Sequence, residues 1–183
     1  MRRKIDKIVT NIIQKNLEVC QGKENLMLTI YTDGACSKNG YAGSSGGYGV
    51  VVVDDENIIE LRSKRSDGET TNNREELKAI LYAMIKYGRT PNEIPTVYSD
   101  SAYAINTLTQ WMYGWARNGW LKSDNRTPEN LDLIQPYYDL VEKGYKINLV
   151  KVKGHAGNKW NEMADALATG KMKGDNSLDL RHF

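Results

Sequence analysis

The first third of the sequence carries short apolar runs that have the length of β-strands. The run that begins at residue 26 is rich in β-formers and leads into Asp33, and the next run is almost entirely apolar. Runs of this length, bounded by turn residues, are typical of β-hairpins. The pattern therefore predicts three antiparallel strands. They are expected at 26–32, 48–53 and 58–66, with a glycine-rich, turn-prone segment over 38–49 and a tight turn at 54–57.

The sequence after the third strand repeats its apolar residues every three or four positions, as an amphipathic helix does. Thr71 or Asn72 is the predicted N-cap, because short polar side chains cap helices well. Glu75 and Glu76 fall in the first turn, where the helix dipole favours acids. The helix is predicted to end near Gly88. Its apolar stripe comprises Leu77, Ile80, Leu81 and Met84.

The second half of the sequence alternates between strand-like and helix-like segments. We predict a strand at 95–99, a helix at 101–108, a long strand at 146–152, and a helix at 158–168 with Gly170 at its end. The order is thus β-β-β-α-β-α, an insertion, and then β-α. This order predicts an α/β fold in which a mixed five-stranded sheet, three antiparallel strands followed by two parallel ones, is flanked by helices.

The two ends of the chain differ from this folded part. Ile5, Ile8, Val9, Ile12 and Ile13 recur at helical spacing, and six basic side chains outnumber two acidic ones over 1–23. We predict a basic amphipathic extension at 1–23, a single folded domain at 24–170, and a polar tail at 171–183. The amphipathic helix either docks on the domain or lies flexible, or it serves as a targeting or partner-binding device. The tail is expected to be mobile or to dock weakly.

Composition excludes several classes of protein. A chain of 183 residues with 40% hydrophobic and 26% charged residues fits one globular domain. No apolar run approaches the roughly 18 residues of a membrane span, so no membrane partner is expected. Cys20 and Cys36 are too few for a disulfide scaffold, which favours a cytoplasmic location. The net charge of +2 means that a nucleic-acid partner would need a local basic surface. We expect a monomer without an obligate protein partner.

Four acidic residues stand in positions that suggest chemistry. Asp33 and Asp100 each follow an apolar strand, and neighbouring strands lie about 4.8 Å apart, so their carboxylates could reach one cation. Glu76 lies one turn into a helix, and Asp165 is surrounded by apolar residues. An unpaired carboxylate is costly in an apolar setting. Any one of these acids could be an ordinary surface residue, but together they suggest a site for hard cations.

Four motifs in order carry a resemblance to a known family. They are YTDGA at 31–35, TNNREEL at 71–77, YSDS at 98–101 and VKGHAG at 152–157, with Asp165 ten residues after His155. Over about 26–170 the sequence resembles type 1 ribonuclease H. The resemblance implies an endonuclease that cuts the RNA strand of RNA–DNA hybrids and leaves 5′-phosphate and 3′-hydroxyl ends.

The resemblance also implies the site residues. Asp33, Glu76, Asp100 and Asp165 correspond to the acids that bind two Mg²⁺ ions, with Mn²⁺ as an alternative. By the resemblance, Asp33 bridges both ions, Asp165 completes the site of the ion that activates water, and Glu76 with Asp100 holds the ion near the leaving group. His155 corresponds to a mobile histidine that carries a proton or helps product release. The chemistry agrees, because Mg²⁺ prefers oxygen ligands whereas zinc would want His or Cys.

Hybrid contacts are implied in the same way. Gly34, Ala35, Cys36, Asn39 and Asn72, together with Glu76, occupy the positions that read the minor groove, where 2′-hydroxyls distinguish RNA from DNA. Thr71, Asn73 and Arg74 could bind phosphates at a helix N-terminus, although Thr71 and Asn72 could also serve only as caps. The insertion at 111–128 resembles a basic protrusion that holds the DNA strand, with Trp115, Arg117 and Trp120 as candidates. Trp111 is expected in the core.

Three other interpretations are open at this point. A ribonuclease H domain released from a reverse transcriptase would share these motifs. A non-catalytic hybrid-binding module would keep the fold but lack an acid, and none of the four is missing. A metal-dependent DNase or resolvase on the same fold would lack the asparagine-rich turn before Glu76 and the tryptophan-containing insertion.

Overall fold

The computed structural model describes residues 27–39, 41–89, 93–154 and 157–174. Ten helices and strands follow one another in these ranges. They are β1 (Leu28–Ser37), β2 (Ser45–Asp54), β3 (Asn57–Arg65), α1 (Asn72–Tyr87), β4 (Thr96–Ser99), α2 (Ala102–Asn106), α3 (Met112–Arg117), α4 (Leu131–Glu142), β5 (Asn148–Lys151) and α5 (Lys159–Ala168). One stretch of π-helix, Thr107–Trp111, joins α2 to α3.

The five strands form one mixed sheet in the order β3-β2-β1-β4-β5. β1 pairs antiparallel with β2, and β2 pairs antiparallel with β3. On the other side, β1 pairs parallel with β4, and β4 with β5. The predicted α/β fold with three antiparallel and two parallel strands is therefore confirmed.

Successive side chains of β1 point to opposite faces of the sheet, and each face packs on one helix. Ile30 lies in a buried cluster with Ala79 and Ala83 of α1. Tyr31 lies in another with Ala164 and Leu167 of α5. A third cluster joins α1 to the helices that follow β4, and it includes Leu77, Ile80, Leu108, Met112 and Ile134. Helices α1 and α5 thus pack on opposite faces of the central strand β1.

The first two strands are longer than predicted. β1 continues to Ser37, and β2 begins at Ser45, inside the segment predicted to be a turn. The glycines of this segment are strand residues because Asp33 pairs with Gly49 and Gly34 with Tyr48 across the two strands. Asp33 therefore lies inside β1, whereas it was predicted to follow the strand. The parallel pairing with β4, however, ends one residue earlier, at Thr32 and Ser99.

Other differences lie in the second half. Helical structure after β4 continues to Arg117, and β5 covers only Asn148–Lys151. Helix α4 was missed altogether. Pro136, which lacks a backbone N–H, discourages a helix prediction, yet it is exposed within α4. The spacing of Ile134 and Tyr137, the two buried residues of α4, could have indicated the helix.

The predicted ends of α1 and α5 agree with the structure. The Thr71 side chain accepts a hydrogen bond from Arg74 N, and α1 is followed by Gly88. Asn158 caps α5 in the same way. The chain stays packed beyond Gly170, since Met172 N donates to Ala166 O and its side chain joins the Tyr31 cluster. The extension predicted at 1–23 lies outside the described residues. Within the described ranges, no helix combines the length and apolarity that crossing a membrane requires.

Candidate active site

Asp33, Glu76 and Asp100 meet at one edge of the sheet. β1 and β4 run side by side as far as Thr32 and Ser99, and Asp33 and Asp100 are the next residue of each. Glu76 approaches from the first turns of α1. One carboxylate oxygen from each of the three acids lies within 4.8 Å of the others. The predicted convergence of Asp33, Glu76 and Asp100 is therefore present in the structure.

Glu76 reaches this group because α1 packs directly on the backbone of Gly34. A Cβ atom at Gly34 would lie 2.2 Å from Glu76 N and 2.9 Å from Glu75 Cβ, so no side chain fits there. Gly34 N donates a 2.8 Å hydrogen bond to Asp33 Oδ1, and Ser99 Oγ is 3.4 Å from Glu76 Oε2. The Asp-Gly pair thus supplies one acid and the space for the helix that carries another.

The electrostatics of this cluster favour a bound cation. Burial raises the pKa of Asp33 to about 6, and the negative charges of Asp100 and Asp165 act in the same direction. Burial and the neighbouring Asp33 raise the pKa of Glu76 well above its ordinary value. In the described part of the chain, no lysine or arginine forms an ion pair with Asp33, Glu76 or Asp100. Oxygen donors in this electrostatic setting suit a hard divalent cation such as Mg²⁺.

Asp165 lies close to the cluster but outside the group of three. It is partly buried on α5, and its charge helps to raise the pKa of Asp33. The sheet places α5 beside Asp33, because the strand partner of Asp33 is Gly49 and a Cβ on Gly49 would lie 2.2 Å from Ala164 O. The fourth acid is therefore near enough to influence Asp33 electrostatically.

The segment that leads to His155 passes next to Asp100. A Cβ at Gly154 would lie 2.4 Å from Asp100 Oδ2. His155 itself lies outside the described residues. Gly154, the residue before His155 in the sequence, therefore lies beside the acidic cluster.

The residues predicted to read the minor groove line the end of β1 and the start of α1. Gly34, Ala35 and Cys36 follow Asp33 on β1, and Asn72 is exposed at the first turn of α1. Asn39 Oδ1 accepts a 2.9 Å hydrogen bond from Asn72 N. The side chains of Thr71 and Asn39 thus each accept a hydrogen bond from one backbone N–H at the start of α1. Fewer N–H groups are therefore left there to bind a phosphate.

Arg74 has a partner that the sequence did not indicate. Its guanidinium donates two hydrogen bonds to Asp132 of α4, at 2.7 and 2.9 Å, and a third at 3.2 Å to Asn130. The hydrogen bonding between the two side chains raises the pKa of Arg74 and lowers the pKa of Asp132. A phosphate contact by Arg74 would compete with this pair. Nothing local in the sequence links two residues so far apart.

The tryptophans of the insertion differ in exposure. Trp111 is 42% exposed, so its predicted place in the core is wrong. Its ring lies 6.2 Å from that of Trp115, which is half-buried. Trp120 is also half-buried and packs edge-on against Tyr138, with ring centroids 5.3 Å apart. Arg117 is exposed at the end of α3. The outward-facing aromatic surface is therefore made mainly by Trp111 and Trp115.

Comparison with known proteins agrees with this geometry. The model of the RNase H family matches residues 25–173. A curated Ribonuclease H from Thermoanaerobacter sp. (strain X514) is 39% identical over 148 residues, which cover 80% of this chain and 90% of that protein. Among solved structures, LC9-RNase H1, a type 1 RNase H with the type 2 active-site motif, gives a TM-score of 0.63 at 29% identity, covering 83% of this chain and 76% of that one. LC11-RNase H1 in complex with an RNA/DNA hybrid gives 0.54 at 21% identity, covering 78% and 94%.

The structure is thus an α/β domain with an acidic cluster that could hold a divalent cation. The comparisons give the family: this chain belongs to the RNase H family. That family consists of divalent-metal-dependent ribonucleases that act on RNA–DNA hybrids.

Proposed function

We propose that this protein is an endoribonuclease that hydrolyses the RNA strand of RNA–DNA hybrids with two Mg²⁺ ions and leaves 5′-phosphate and 3′-hydroxyl ends. The observation that carries the proposal is the convergence of Asp33, Glu76 and Asp100 within 4.8 Å, with Asp165 nearby. Four acids suit a pair of hard cations better than a single one, since each cation also keeps several waters.

The acids divide the work of holding the metals. When bound, the two cations activate the attacking water, neutralise charge on the phosphoryl group and stabilise the leaving 3′ oxygen. Asp33 interacts electrostatically with Glu76, Asp100 and Asp165, which would suit it to both ions. Asp165 would help to hold the ion that activates water, and Glu76 and Asp100 would help to hold the ion near the leaving group. Mn²⁺ accepts the same oxygen donors.

His155 completes the proposed machinery as a carrier of protons or an aid to product release. It directly follows Gly154, whose backbone lies against Asp100. Imidazole has an unperturbed pKa of about 6.5, so a histidine at this point of the chain can change charge near neutral pH.

The hybrid is proposed to bind along the end of β1 and the start of α1. Backbone groups of residues 34–36 and the exposed side chains of Asn72 and Asn73 face the minor groove, with Asn39 beside them, and Thr71 and Arg74 lie at the phosphate backbone. The DNA strand lies against Trp115 and Arg117. Trp120 supports that surface from beneath through its contact with Tyr138. The hybrid bound to LC11-RNase H1, a protein of the same fold, supports this class of partner.

One cleavage experiment tests the proposal. End-labelled RNA–DNA hybrid, single-stranded RNA, double-stranded RNA and double-stranded DNA are incubated with the wild type, with Asp33→Asn and with Asp139→Asn, in Mg²⁺ or EDTA. Asp139 is an exposed acid of α4, so its variant controls for the loss of one charge. We expect cleavage of only the RNA of the hybrid, only with metal, by the wild type and Asp139→Asn.

The other interpretations have distinct outcomes in the same experiment. Tight hybrid binding without cleavage would favour a binding module. Equal cleavage of duplex DNA would favour another nuclease of this fold. A domain from a reverse transcriptase is disfavoured because the Thermoanaerobacter Ribonuclease H is 39% identical to this chain, whereas the RNase H domain of prototype foamy virus is 20% identical. The monomeric state and the cytoplasmic location stay predictions.

A further inference from the structure

A second buried acid, Glu75, lies next to Glu76 and has no part in the metal site. Its side chain is 0% exposed. One oxygen, Oε1, accepts hydrogen bonds from Ser66 Oγ at 2.5 Å, Thr70 Oγ1 at 2.5 Å and Lys78 Nζ at 2.7 Å. Hydrogen bonds to an ionised carboxylate are about twice as strong as those between neutral groups. Glu75 therefore ties the segment that precedes α1 firmly to the helix.

The hydrogen bonds continue from Thr70 to the first two strands. Thr70 N donates to Ser44 Oγ at 3.0 Å, and Ser44 Oγ lies 3.1 Å from Thr70 O. Cys36 Sγ also donates to Thr70 O, at 3.2 Å. Through Thr70, Glu75 thus connects the end of β1 and the start of β2 with the residues that lead into Asn72. Of these, the end of β1 and the start of α1 are the two segments proposed above to contact the hybrid.

The packing around Glu75 leaves little space for movement. A Cβ at Gly46 of β2 would lie 2.5 Å from Thr70 Cγ2 and 3.2 Å from Glu75 Cγ. On β1, a Cβ at Gly34 would lie 2.9 Å from Glu75 Cβ. The two strand backbones therefore lie directly on this residue. In a close-packed interior, a change at Glu75 is transmitted to its neighbours.

We propose that Glu75 is a positioning residue for hybrid binding: it holds residues 70–73 and the end of β1 in one fixed arrangement. The inference rests on the proposed function, because these segments are the proposed minor-groove contacts. Glu75 itself is buried and touches no substrate. Its loss would leave the Ser66 and Thr70 hydroxyls without this acceptor and would leave Lys78 Nζ with only Ser66 Oγ, so the segment at 66–71 would take up several conformations. Each conformation other than the native one would bind the hybrid less well.

Glu60 provides a matched control. It is a buried acid in β3 that accepts hydrogen bonds from Tyr82 OH and Tyr87 OH and pairs with Lys86 Nζ at 2.8 Å. It contacts the C-terminal half of α1, away from the acidic cluster. Replacing either acid by Met keeps a similar volume and removes the acceptor. A general loss of stability would affect both variants, whereas a role in positioning is particular to Glu75.

The experiment compares Glu75→Met, Glu75→Gln and Glu60→Met with the wild type. The measurements are kcat and KM for hybrid cleavage in Mg²⁺, the unfolding midpoint, and amide hydrogen exchange over 66–73. For Glu75→Met we expect KM to rise about tenfold, kcat to stay within about threefold, and exchange over 66–73 to increase. Glu75→Gln keeps the Oε1 acceptor, so its KM is expected to rise less. Glu60→Met should lose stability with KM unchanged.

The opposite results overturn the inference. If Glu75→Met and Glu60→Met are equally destabilised and KM is unchanged in both, Glu75 has a structural role alone. If kcat falls in Glu75→Met without a change in KM, Glu75 acts in the chemical step. If Glu75→Met does not fold, Thr70→Val takes its place, with KM expected to rise about threefold or more. If the wild type does not cut the hybrid, the proposed function is contradicted. Hydrogen exchange still tests the inference in that case, because unchanged exchange over 66–73 in Glu75→Met overturns the positioning role.

Discussion

Gly34 and Glu76 are in backbone contact, so closely that a Cβ on Gly34 would lie 2.2 Å from Glu76 N. Gly34, the residue after Asp33, is therefore in direct contact with the backbone of Glu76, the second acid of the cluster. Because the contact is between main chains, a side chain at position 34 can be accommodated only if α1 moves away from β1. The separation of Asp33 and Glu76 depends directly on the absence of a side chain between their elements.

Gly34→Ala should consequently impair catalysis more than any loss of stability explains. We expect the rate of hybrid cleavage to fall at least about 100-fold, since shifts of about 1 Å at an active site cost that much. The matched control is Gly114→Ala, because a Cβ there meets nothing within 4 Å and Ala favours helix. Steady-state cleavage and urea unfolding of both variants check this, and an active Gly34→Ala would contradict the account.

The raised pKa of Asp33 has a consequence for the metal-free protein. A carboxyl whose pKa is raised from 3.8 to about 6 on folding contributes stability below pH 4 that is lost as pH rises through 6. In EDTA at pH 7, Asp33→Asn should therefore be more stable than the wild type, by about 1–3 kcal/mol.

This difference should disappear near pH 4, and Mg²⁺ should stabilise the wild type much more than the variant. Urea unfolding at pH 4, 5.5 and 7, with EDTA or with Mg²⁺, measures both effects. A metal-free Asp33→Asn that is less stable than the wild type at pH 7 would count against an uncompensated buried charge.

The Arg74–Asp132 pair provides a test of the phosphate contact proposed for Arg74. Asp132→Asn removes the charge that competes with a phosphate for the guanidinium. We expect the variant to bind the hybrid more tightly and the slope of log K against log salt to steepen by up to about 1. Its free energy of unfolding should fall by less than about 1 kcal/mol, because the pair is partly exposed. An unchanged salt slope in anisotropy titrations would mean that Arg74 links α1 to α4 and does not contact phosphate.

The different exposure of the tryptophans predicts unequal losses of stability when each is replaced by Ala. Trp120→Ala removes the edge-on contact with Tyr138 and should cost about 3 kcal/mol or more. Trp111→Ala removes a ring that is 42% exposed and should cost clearly less. Chemical denaturation of the two variants makes the comparison. Equal losses would mean that Trp111 is part of the core after all.

Local signals in the sequence were enough for most of the fold, and the four motifs of the family resemblance indicated the acidic cluster. Thr71 and Gly88 bound α1 as predicted because capping depends on neighbouring residues. Asp33 and Asp100 could be paired in advance because the ends of parallel neighbouring strands meet at one edge of a sheet. The length of β1 could not be predicted in this way, since it depends on pairing with glycines of β2 that resemble a turn when read alone.

Long-range contacts account for what the sequence did not indicate. Glu75 was interpreted only as an acid favoured by the helix dipole, yet the structure buries it among donors from the preceding segment. Arg74 pairs with Asp132 of α4, a helix that was not predicted because it contains Pro136. Trp111 continues the regular helical spacing of the core residues in the sequence, but it is the last residue of the π-helical stretch Thr107–Trp111, where the backbone departs from that spacing. In each case the deciding partner is distant in sequence or the backbone departs from regular geometry.

The central claim is that Asp33, Glu76, Asp100 and Asp165 together hold the divalent cations that cleave the hybrid. The most direct test measures cleavage of one RNA–DNA hybrid against Mg²⁺ concentration for the wild type and for the Asn or Gln variant of each acid. We expect no cleavage without metal and a loss of at least about 1,000-fold in each variant, as for residues that act as a unit. Full activity in Asp33→Asn, or cleavage by the wild type in EDTA, would contradict the claim.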